Sequence, residues 1–339
     1  MQNRQWKLIS RPVGLVKRSD FEFAAAPVGE PGPGEVLLKV QYISLDPAMR
    51  GWLNDRPSYI PPVGLGEVMR AGGIGRVVAS NAPSLAVGDT VTGLTGVQEY
   101  AIFNAGAINT LLMMKVDPQL APLPRYLGAL GLTGISAYFG LLDICEPKQG
   151  ETVVVSGAAG AVGSVAGQIA KIKGCRVVGI AGGPEKCRYL VDELGFDAAI
   201  DYKNEDVRAG LEKHCPRGVD VYFDNVGGDI LDLVLEQIAR NARISICGAI
   251  SQYNNLETVQ GPKNYLSLLL NHARMEGFVV FDYAARTGEA LKDLRGWVAE
   301  GKIKPREDVV EGIDTFPETL NKLFTGENFG KLVIKVAAA

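Results

Sequence analysis

The strongest local signal in the sequence is Val153-Val154-Val155-Ser156-Gly157-Ala158-Ala159-Gly160-Ala161-Val162-Gly163. It begins as a buried apolar strand, continues as a glycine-rich turn and ends as the start of a helix. Small residues stand where a Gly-x-Gly-x-x-Gly turn needs them, for a tight bend, for backbone approach to a pyrophosphate and for close helix packing. A tight strand-to-helix turn without a ligand has a similar pattern. We predict that this turn binds a dinucleotide through Ala158, Gly160, Val162 and Gly163.

Downstream of this stretch, short apolar runs alternate with longer helix-like segments. We predict strands at 152–155, 176–180, 198–201, 219–223, 243–247 and 274–280, with a helical segment at 127–142 ahead of the first strand. This alternation is typical of βαβ units and therefore of a doubly wound parallel sheet. The position of the glycine-rich turn at the first of six strands favours the dinucleotide interpretation.

The first part of the chain has a different pattern. Up to about residue 125, alternating runs such as Glu35-Val36-Leu37-Leu38-Lys39-Val40 are separated by Pro and Gly, which predicts a β-rich domain. The apolar run at 330–336 predicts a last strand that returns to this domain. We expect an α/β protein with a β-rich catalytic domain at 1–125, completed by 300–339, and a Rossmann nucleotide-binding domain at 126–299.

The composition is that of an ordinary globular protein. Of 339 residues, 47% are hydrophobic and 22% are charged, and the formal net charge is -3. Because Lys and Arg are not in excess, nucleic acid and anionic membranes are not expected partners, and small molecules are. Residues 1–7 lack the apolar core of a secretion signal, and the five cysteines form no Cys-x-x-Cys pair. We expect a cytoplasmic protein without disulfides.

The end of the second predicted strand indicates which dinucleotide is bound. An NAD site places Asp or Glu there to hold the ribose hydroxyls. This chain has Gly179-Ile180-Ala181-Gly182-Gly183-Pro184 instead, followed by Lys186 and Arg188, with Tyr202 after the third strand. We predict NADPH, held here by Gly182, Lys186 and Tyr202. The alternatives are a solvated helix face for the two basic residues, and an NAD site that uses Glu185.

Two further turns are predicted at the carboxyl ends of the fourth and fifth strands, where ligands of this fold bind. They are Asp224-Asn225-Val226-Gly227-Gly228 and Gly248-Ala249-Ile250-Ser251-Gln252-Tyr253-Asn254. Glycine allows close backbone approach and the polar side chains offer hydrogen bonds, although plain turns have a similar composition. We predict that a nicotinamide is contacted by Asn225, Gly248, Ser251 and Tyr253.

Other catalytic chemistries lack their residues in this sequence. The chain has two histidines, His214 and His272, and contains neither a Gly-x-Ser-x-Gly elbow nor a phosphate-binding Gly-x-x-x-x-Gly-Lys-Ser/Thr loop. No Cys or His precedes Cys145, so the first domain cannot supply the thiolate and imidazole ligands of a catalytic zinc. Hydride transfer without a metal ion is the chemistry that remains.

Several stretches together resemble those of a known family. They are Ser44-Leu45-Asp46-Pro47-Ala48-Met49-Arg50-Gly51, Pro57-Ser58-Tyr59, Gly179-Ile180-Ala181-Gly182-Gly183-Pro184-Glu185-Lys186-Cys187, Asp224-Asn225-Val226-Gly227-Gly228, Tyr253-Asn254 and Asn328-Phe329-Gly330-Lys331. Over nearly its whole length the chain resembles the medium-chain dehydrogenase/reductase superfamily, in which a GroES-like domain precedes a Rossmann domain. More narrowly, it is similar to the zinc-independent double-bond reductases, which include prostaglandin, alkenal and curcumin reductases.

The resemblance implies roles for individual residues. Lys186 and Tyr202 would contact the 2′-phosphate, and Gly160 and Gly163 would cradle the pyrophosphate. The nicotinamide and its ribose would be surrounded by Asn225, Tyr253 and Asn328. The resemblance also implies a homodimer that pairs through the Rossmann sheet.

The chain departs from its relatives at some positions. Zinc-dependent relatives have a cysteine and a Gly-His-Glu where this chain has Ile43-Ser44-Leu45-Asp46 and Gly64-Leu65-Gly66-Glu67. Leu132-Thr133-Gly134 stands where double-bond reductases often have Met-Pro-Gly, and Gly96-Val97 where they often have Gly-Trp. The last two departures concern substrate fit more than cofactor binding.

The expected reaction is hydride transfer from NADPH to the β-carbon of an α,β-unsaturated aldehyde or ketone. Negative charge then develops on the carbonyl oxygen, and Tyr253, the cofactor's ribose hydroxyl or Tyr59 would donate a hydrogen bond to it. For Tyr59, an aromatic wall of the cleft is the alternative. A metal-free quinone reductase and a catalytically silent NADP-binding protein are the competing functions.

Overall fold

The structure is a computed structural model that describes residues 1–108, 110, 113–259 and 261–336. The chain forms two compact units. The first unit comprises residues 1–127 and the C-terminal residues from 307 onward, and the second comprises residues 128–306.

The first unit is built mainly of β-strands. Up to residue 127 its elements are β1 (Gln2–Leu8), β2 (Phe21–Pro27), β3 (Glu35–Ser44), the short helix α1 (Ala48–Gly51), β4 (Gly73–Ser80), β5 (Thr90–Gly93), β6 (Tyr100–Asn104) and β7 (Met113–Val116). β1 pairs antiparallel with β2, and β3 pairs antiparallel with both β4 and β6. Alternate residues of β3, among them Val36 and Leu38, are fully buried, as expected for strands with one face on a core.

The second unit contains a parallel sheet with helices between its strands. Its strands are β8 (Thr152–Ser156), β9 (Arg176–Ala181), β10 (Ala198–Asp201), β11 (Val219–Asp224), β12 (Ile238–Ile246) and β13 (Arg274–Gly277). Its helices are α2 (Leu132–Phe139), α3 (Ala161–Ile172), α4 (Pro184–Arg188), α5 (Val207–His214), α6 (Gly228–Leu235), α7 (Leu266–Leu270) and α8 (Thr287–Ala299). The strand order is β10-β9-β8-β11-β12-β13, with every neighbouring pair parallel.

This order confirms the predicted doubly wound sheet. β8 lies in the middle, and Val153, Val154 and Val155 are fully buried because the central strand of such a sheet is covered on both faces. The direction in which successive strands are added to the sheet reverses between β8 and β11. The carboxyl ends of these two strands therefore form the switch point where ligands of this fold bind. The two turns that follow these strands are the glycine-rich turn and the turn that begins at Asn225.

The boundaries differ from the prediction by more than one residue at three places. β12 begins at Ile238 instead of residue 243, because a bulge, with Asn241 at a φ of +62°, extends the strand towards its N-terminus. The sixth strand ends at Gly277 because a 3-10 helix begins at Val280. Regular α-helix begins only at Leu132 within the segment 127–142, since residues 123–127 form a 3-10 turn.

The last elements of the chain belong to the first unit. They are β14 (Glu307–Glu311), α9 (Phe316–Thr325) and β15 (Lys331–Lys335). β15 pairs parallel with β14 and antiparallel with β3, so it lies inside the larger sheet of that unit.

Candidate functional site

The turn after β8 has the geometry of a phosphate site. Gly157 has a φ of +56°, in the left-handed region that favours glycine. Gly160 directly precedes α3, and no side chain caps that helix in the described part of the chain. The first N–H groups of α3 therefore lack a side-chain acceptor, and the positive end of the helix dipole adds to their attraction for an anion. A pyrophosphate fits these features.

The four residues predicted to bind the dinucleotide in this turn form two groups: one pair is closely packed, and a ligand can reach the other pair. A Cβ on Gly163 would lie 2.4 Å from the Gly157 carbonyl oxygen, and Ala158 is fully buried against β9. Gly160 and Val162, at the start of α3, are only half-buried. Close packing thus accounts for the small residues at 158 and 163, whereas residues 160 and 162 are the ones a ligand can reach.

The turn after β9 carries no carboxylate at its start. β9 ends at Ala181, and a Cβ on Gly182 would lie 2.9 Å from two ring carbons and the hydroxyl oxygen of Tyr202, so this phenol packs directly on the turn. Lys186 is half-buried on α4, while Arg188 and Glu185 on the same helix are exposed. The turn therefore brings Gly182 and Tyr202 together, with Lys186 on the helix that follows.

The Tyr202 phenol is suited to donate a hydrogen bond to an anion. Burial, and secondarily the negative charge of Asp201, raise the pKa of Tyr202. The phenol therefore keeps its proton at neutral pH. Its side chain remains 42% exposed, so a ligand can approach it.

Asp201 is a site residue that the sequence reasoning missed. It is buried at the end of β10, and its carboxylate accepts the Gly183 N–H at 2.7 Å and the Lys203 N–H at 3.1 Å. Asn204 Nδ2 donates to its other oxygen at 2.7 Å. Burial opposes ionisation, but these hydrogen bonds outweigh it and lower the pKa of Asp201. The sequence signal that could have indicated Asp201 is its position as an acidic residue directly before Tyr202.

The turns after β11 and β12 are hydrogen-bonded to each other. The Ser251 hydroxyl donates to the Val226 carbonyl at 2.6 Å, and the Ile250 N–H donates to the Asn225 carbonyl. Asn225 Nδ2 donates to the Ser156 carbonyl at 2.7 Å, so the amide nitrogen is engaged within the protein. The amide oxygen of Asn225 is the atom that we propose to face a hydrogen-bond donor of the ligand. The Ser251 hydroxyl is also engaged within the protein, because it donates its hydrogen bond to the turn after β11.

Tyr253 is held in place by the backbone of the same turn. Its phenolic oxygen accepts the Ala249 N–H at 3.1 Å, and a Cβ on Gly248 would lie 3.2 Å from that oxygen. Glycine at 248 therefore leaves room for the phenol beside the strand end. A hydrogen bond accepted by a phenolic oxygen uses a lone pair and leaves the proton on the phenol.

Two predicted site residues lie in the first unit. Tyr59 is 54% exposed, in a loop where its oxygen accepts the Trp52 indole N–H at 3.4 Å. Asn328 precedes β15, and its Nδ2 donates to the Gly330 carbonyl at 3.2 Å. The proposed approach of these two side chains to the nucleotide-binding residues stays a prediction.

The position at which zinc-dependent relatives have a cysteine holds a different polar cluster. The Ser44 hydroxyl donates to Asp46, and the Lys331 ammonium donates to Asp46 Oδ1 at 2.5 Å and to the Leu45 carbonyl at 3.0 Å. Lys331 is 3% exposed, and its charge is compensated by Asp46, whose side chain is partly exposed. Among the described residues, no group of three or more His, Cys, Asp and Glu side chains has the arrangement of a metal site.

None of the helices in the described ranges combines the length and apolar character needed to cross a membrane.

Comparison with known proteins places the chain in a family. Residues 4–111 match the N-terminal domain of oxidoreductases, and residues 161–295 match a domain family described as zinc-binding dehydrogenase. The chain is 44% identical to the NADPH-dependent curcumin reductase of Escherichia coli, over 99% of this chain and 97% of that protein. It is 40% identical to the NADP-dependent 2-alkenal reductase of Nicotiana tabacum, over 99% and 98%.

A solved structure supports the same assignment. The crystal structure of CurA from Vibrio vulnificus in complex with NADPH covers 99% of this chain and 100% of its own, with 44% sequence identity and a TM-score of 0.93. The chain therefore belongs to the medium-chain dehydrogenase/reductase family. Within that family it lies in the zinc-independent branch of NADP-dependent oxidoreductases that contains the curcumin and alkenal reductases.

Proposed function

We propose that this protein uses NADPH to reduce the carbon-carbon double bond of α,β-unsaturated aldehydes and ketones. The names of its relatives support this substrate class, since a 2-alkenal is a conjugated aldehyde. The observation that carries the proposal is the position of the Tyr253 phenol, held by the Ala249 N–H at the carboxyl end of the parallel sheet.

The residues of the second unit fit the cofactor. The uncapped start of α3, at Gly160 and Val162, would bind the pyrophosphate. Lys186 and Tyr202 would bind the 2′-phosphate, with Gly182 allowing the phenol to lie on the turn. The Asn225 amide oxygen and the backbone at Gly248 would face the nicotinamide.

Bound NADPH supplies the hydride. As negative charge develops on the substrate's carbonyl oxygen, the Tyr253 O–H would donate to it, and the Ala249 N–H would strengthen that donor by withdrawing electron density from the phenolic oxygen. Tyr59 is the second donor in this proposal, and Asn328 would orient the nicotinamide ribose. The α-carbon would then take a proton from tyrosine or from water.

A tyrosine-to-phenylalanine pair tests this role. Tyr253→Phe removes one hydroxyl, and Tyr265→Phe is the matched control because Tyr265 is an exposed tyrosine of the same unit, 58% accessible. We expect kcat on an alkenal to fall about 100-fold in Tyr253→Phe, as when one oxyanion donor is lost, and to stay unchanged in the control. Full turnover by Tyr253→Phe would remove this residue from the mechanism.

A substrate comparison separates the competing functions. We expect NADPH oxidation with a straight-chain 2-alkenal to exceed that with a quinone in kcat/KM. Faster turnover of the quinone would instead identify a quinone reductase. NADPH binding without oxidation across a panel of conjugated aldehydes and ketones would identify a silent NADP-binding protein.

We also propose a homodimer formed through the edge of the parallel sheet. β13 is the edge strand, and α7 exposes a cluster of leucines, of which Leu269 is 72% and Leu270 is 75% accessible. An unpaired strand edge beside exposed apolar side chains is suited to a second copy related by a two-fold axis.

Solution mass measurements test the dimer. The double variant Leu269→Lys/Leu270→Lys is expected to be monomeric in light scattering, whereas Leu120→Lys, at a leucine of the first unit with 74% exposure, is expected to remain dimeric. A monomeric wild-type protein would contradict this proposal.

A cytoplasmic location is part of the proposal. All five cysteines are free thiols, as is typical of a reducing compartment. Fractionation of cells that express the protein tests it, and recovery in the membrane or secreted fraction would contradict it.

A further inference from the structure

Two of the proposed ligand-binding turns are joined beneath the site by buried polar side chains. Ser156 is the last residue of β8, directly before the glycine-rich turn, and Asp224 is the last residue of β11, directly before Asn225. Both side chains are fully buried. The Ser156 hydroxyl donates to Asp224 Oδ1 at 2.8 Å, although the two residues are 68 positions apart in the chain.

The same two residues also hold the backbone of the second turn. The N–H groups of Val226 and Gly227 each donate to Asp224 Oδ1 at 3.0 Å. The Asn225 N–H donates to the Ser156 hydroxyl at 2.9 Å. Gly227 has a φ of +68°, so these bonds stabilise a bend that other residues adopt only with strain.

We propose that Ser156 and Asp224 are positioning residues that set the spacing between the pyrophosphate turn and the nicotinamide turn. This inference rests on the proposed function. A dinucleotide spans both turns, so turns that are already at the correct spacing lose little entropy when the cofactor binds. A buried carboxylate requires its donors, and here they come from the end of β8 and from the nicotinamide turn, so displacement of either one leaves polar groups unpaired.

The test is the affinity of Ser156→Ala for NADPH. This substitution removes the hydroxyl that donates to Asp224 and accepts from the Asn225 N–H. We expect the Kd for NADPH to rise about tenfold, as for the loss of a hydrogen bond to a charged group. The Kd for adenosine 2′-phosphate is expected to stay unchanged, because its proposed site is at the turn after β9 and on α4, whereas the hydrogen bonds described above join the ends of β8 and β11. Calorimetric titration measures both constants.

Two other buried hydroxyls provide matched controls. The Tyr222 hydroxyl donates to the same Asp224 oxygen at 2.7 Å but lies within β11, so Tyr222→Phe is expected to lower the melting temperature and to keep the NADPH Kd within about twofold. Ser245 on β12 is fully buried, and its hydroxyl has no hydrogen-bond partner in the described ranges. Ser245→Ala is therefore expected to change neither property.

Three results would overturn the inference: an unchanged NADPH Kd in Ser156→Ala, an equal loss of affinity in Tyr222→Phe, or an equal loss for adenosine 2′-phosphate. Ser156→Cys keeps a weak donor and is expected to give an intermediate Kd, so it carries the same test if Ser156→Ala does not fold. A wild-type protein that binds no NADPH would overturn the proposed function together with this inference, whereas wild-type binding with unaltered Ser156→Ala affinity overturns the inference alone.

Discussion

Replacing Gly182 by alanine would place a methyl group 2.9 Å from two ring carbons and the hydroxyl oxygen of Tyr202, where ordinary contacts begin at 3.4 Å. The ring must therefore move by roughly half an ångström or more, which is comparable to the tolerance of a preorganised binding site. Because Tyr202 is 42% exposed, the ring can swing outward without opening the core. We expect Gly182→Ala to weaken the phenol's contact with the 2′-phosphate while the fold is retained.

The expected magnitude follows from one hydrogen bond to a charged phosphate. Such a bond contributes about 1.5 kcal/mol, which corresponds to about a tenfold rise in the KM for NADPH. The KM for NADH is expected to stay within about twofold, because NADH has no phosphate at that position. Steady-state kinetics with both cofactors and a melting curve measure these effects.

The matched control is Gly277→Ala in β13, where an added Cβ would meet no atom within 4 Å. It is expected to leave both KM values unchanged. An equal rise in the KM for NADPH and NADH in Gly182→Ala would refute the reasoning, since it would show a general distortion of the turn. A large fall in melting temperature would refute it as well.

Three further predictions concern the second unit. Lys186→Ala is expected to raise the KM for NADPH between about tenfold and 100-fold, because the 2′-phosphate loses its interaction with the Lys186 ammonium. The KM for NADH is expected to stay unchanged, and steady-state kinetics with the two cofactors check both values. Gly167→Ala would place a Cβ 2.0 Å from Phe196 Cζ in the core, and we expect a loss of about 1–3 kcal/mol in urea unfolding with little change in NADPH Kd. Asp201 has a lowered pKa in the folded state, so its stabilisation is present above the ordinary aspartate value of 3.8 and is lost as the pH falls through its folded value. Asp201→Asn is therefore expected to be less stable than wild type at pH 7, and a difference that did not shrink on acidification below 3.8 would contradict this.

Short-range patterns were sufficient for much of the fold. The run of three valines at 153–155 is apolar on both faces, as expected for a strand covered on both sides. The structure confirms this strand as buried and places it in the middle of the sheet. The strands β9 and β10 also begin at the predicted residues. These features were predictable because alternation, apolar runs and glycine turns act over a few neighbouring residues.

Contacts between residues that are distant in the chain could not be predicted from these local patterns. The extension of β12 to Ile238 depends on a bulge at Asn241 and on pairing with β11, neither of which a local pattern shows. The sequence shows Asp201 only as an acidic residue directly before Tyr202, and its importance comes from accepting the Gly183 N–H in the turn after β9. Asn225 was predicted to face the nicotinamide, but its nitrogen donates to the Ser156 carbonyl 69 residues away, a contact that exists only in the folded chain.

The class of fold, the glycine-rich turn, the absence of a carboxylate at the start of the turn after β9 and the lack of zinc ligands before Cys145 follow from the amino-acid sequence alone. Each of these depends on which residue types are present and on spacings within one strand-turn-helix unit. The atoms that hold the turns are known from the folded chain: the Asp201 carboxylate accepts from Gly183, the Ser156 hydroxyl donates to Asp224, and the Ala249 N–H donates to Tyr253. A buried hydrogen bond depends on distance and direction between groups, and for the first two of these contacts the parallel sheet brings together strand ends that are distant in the chain.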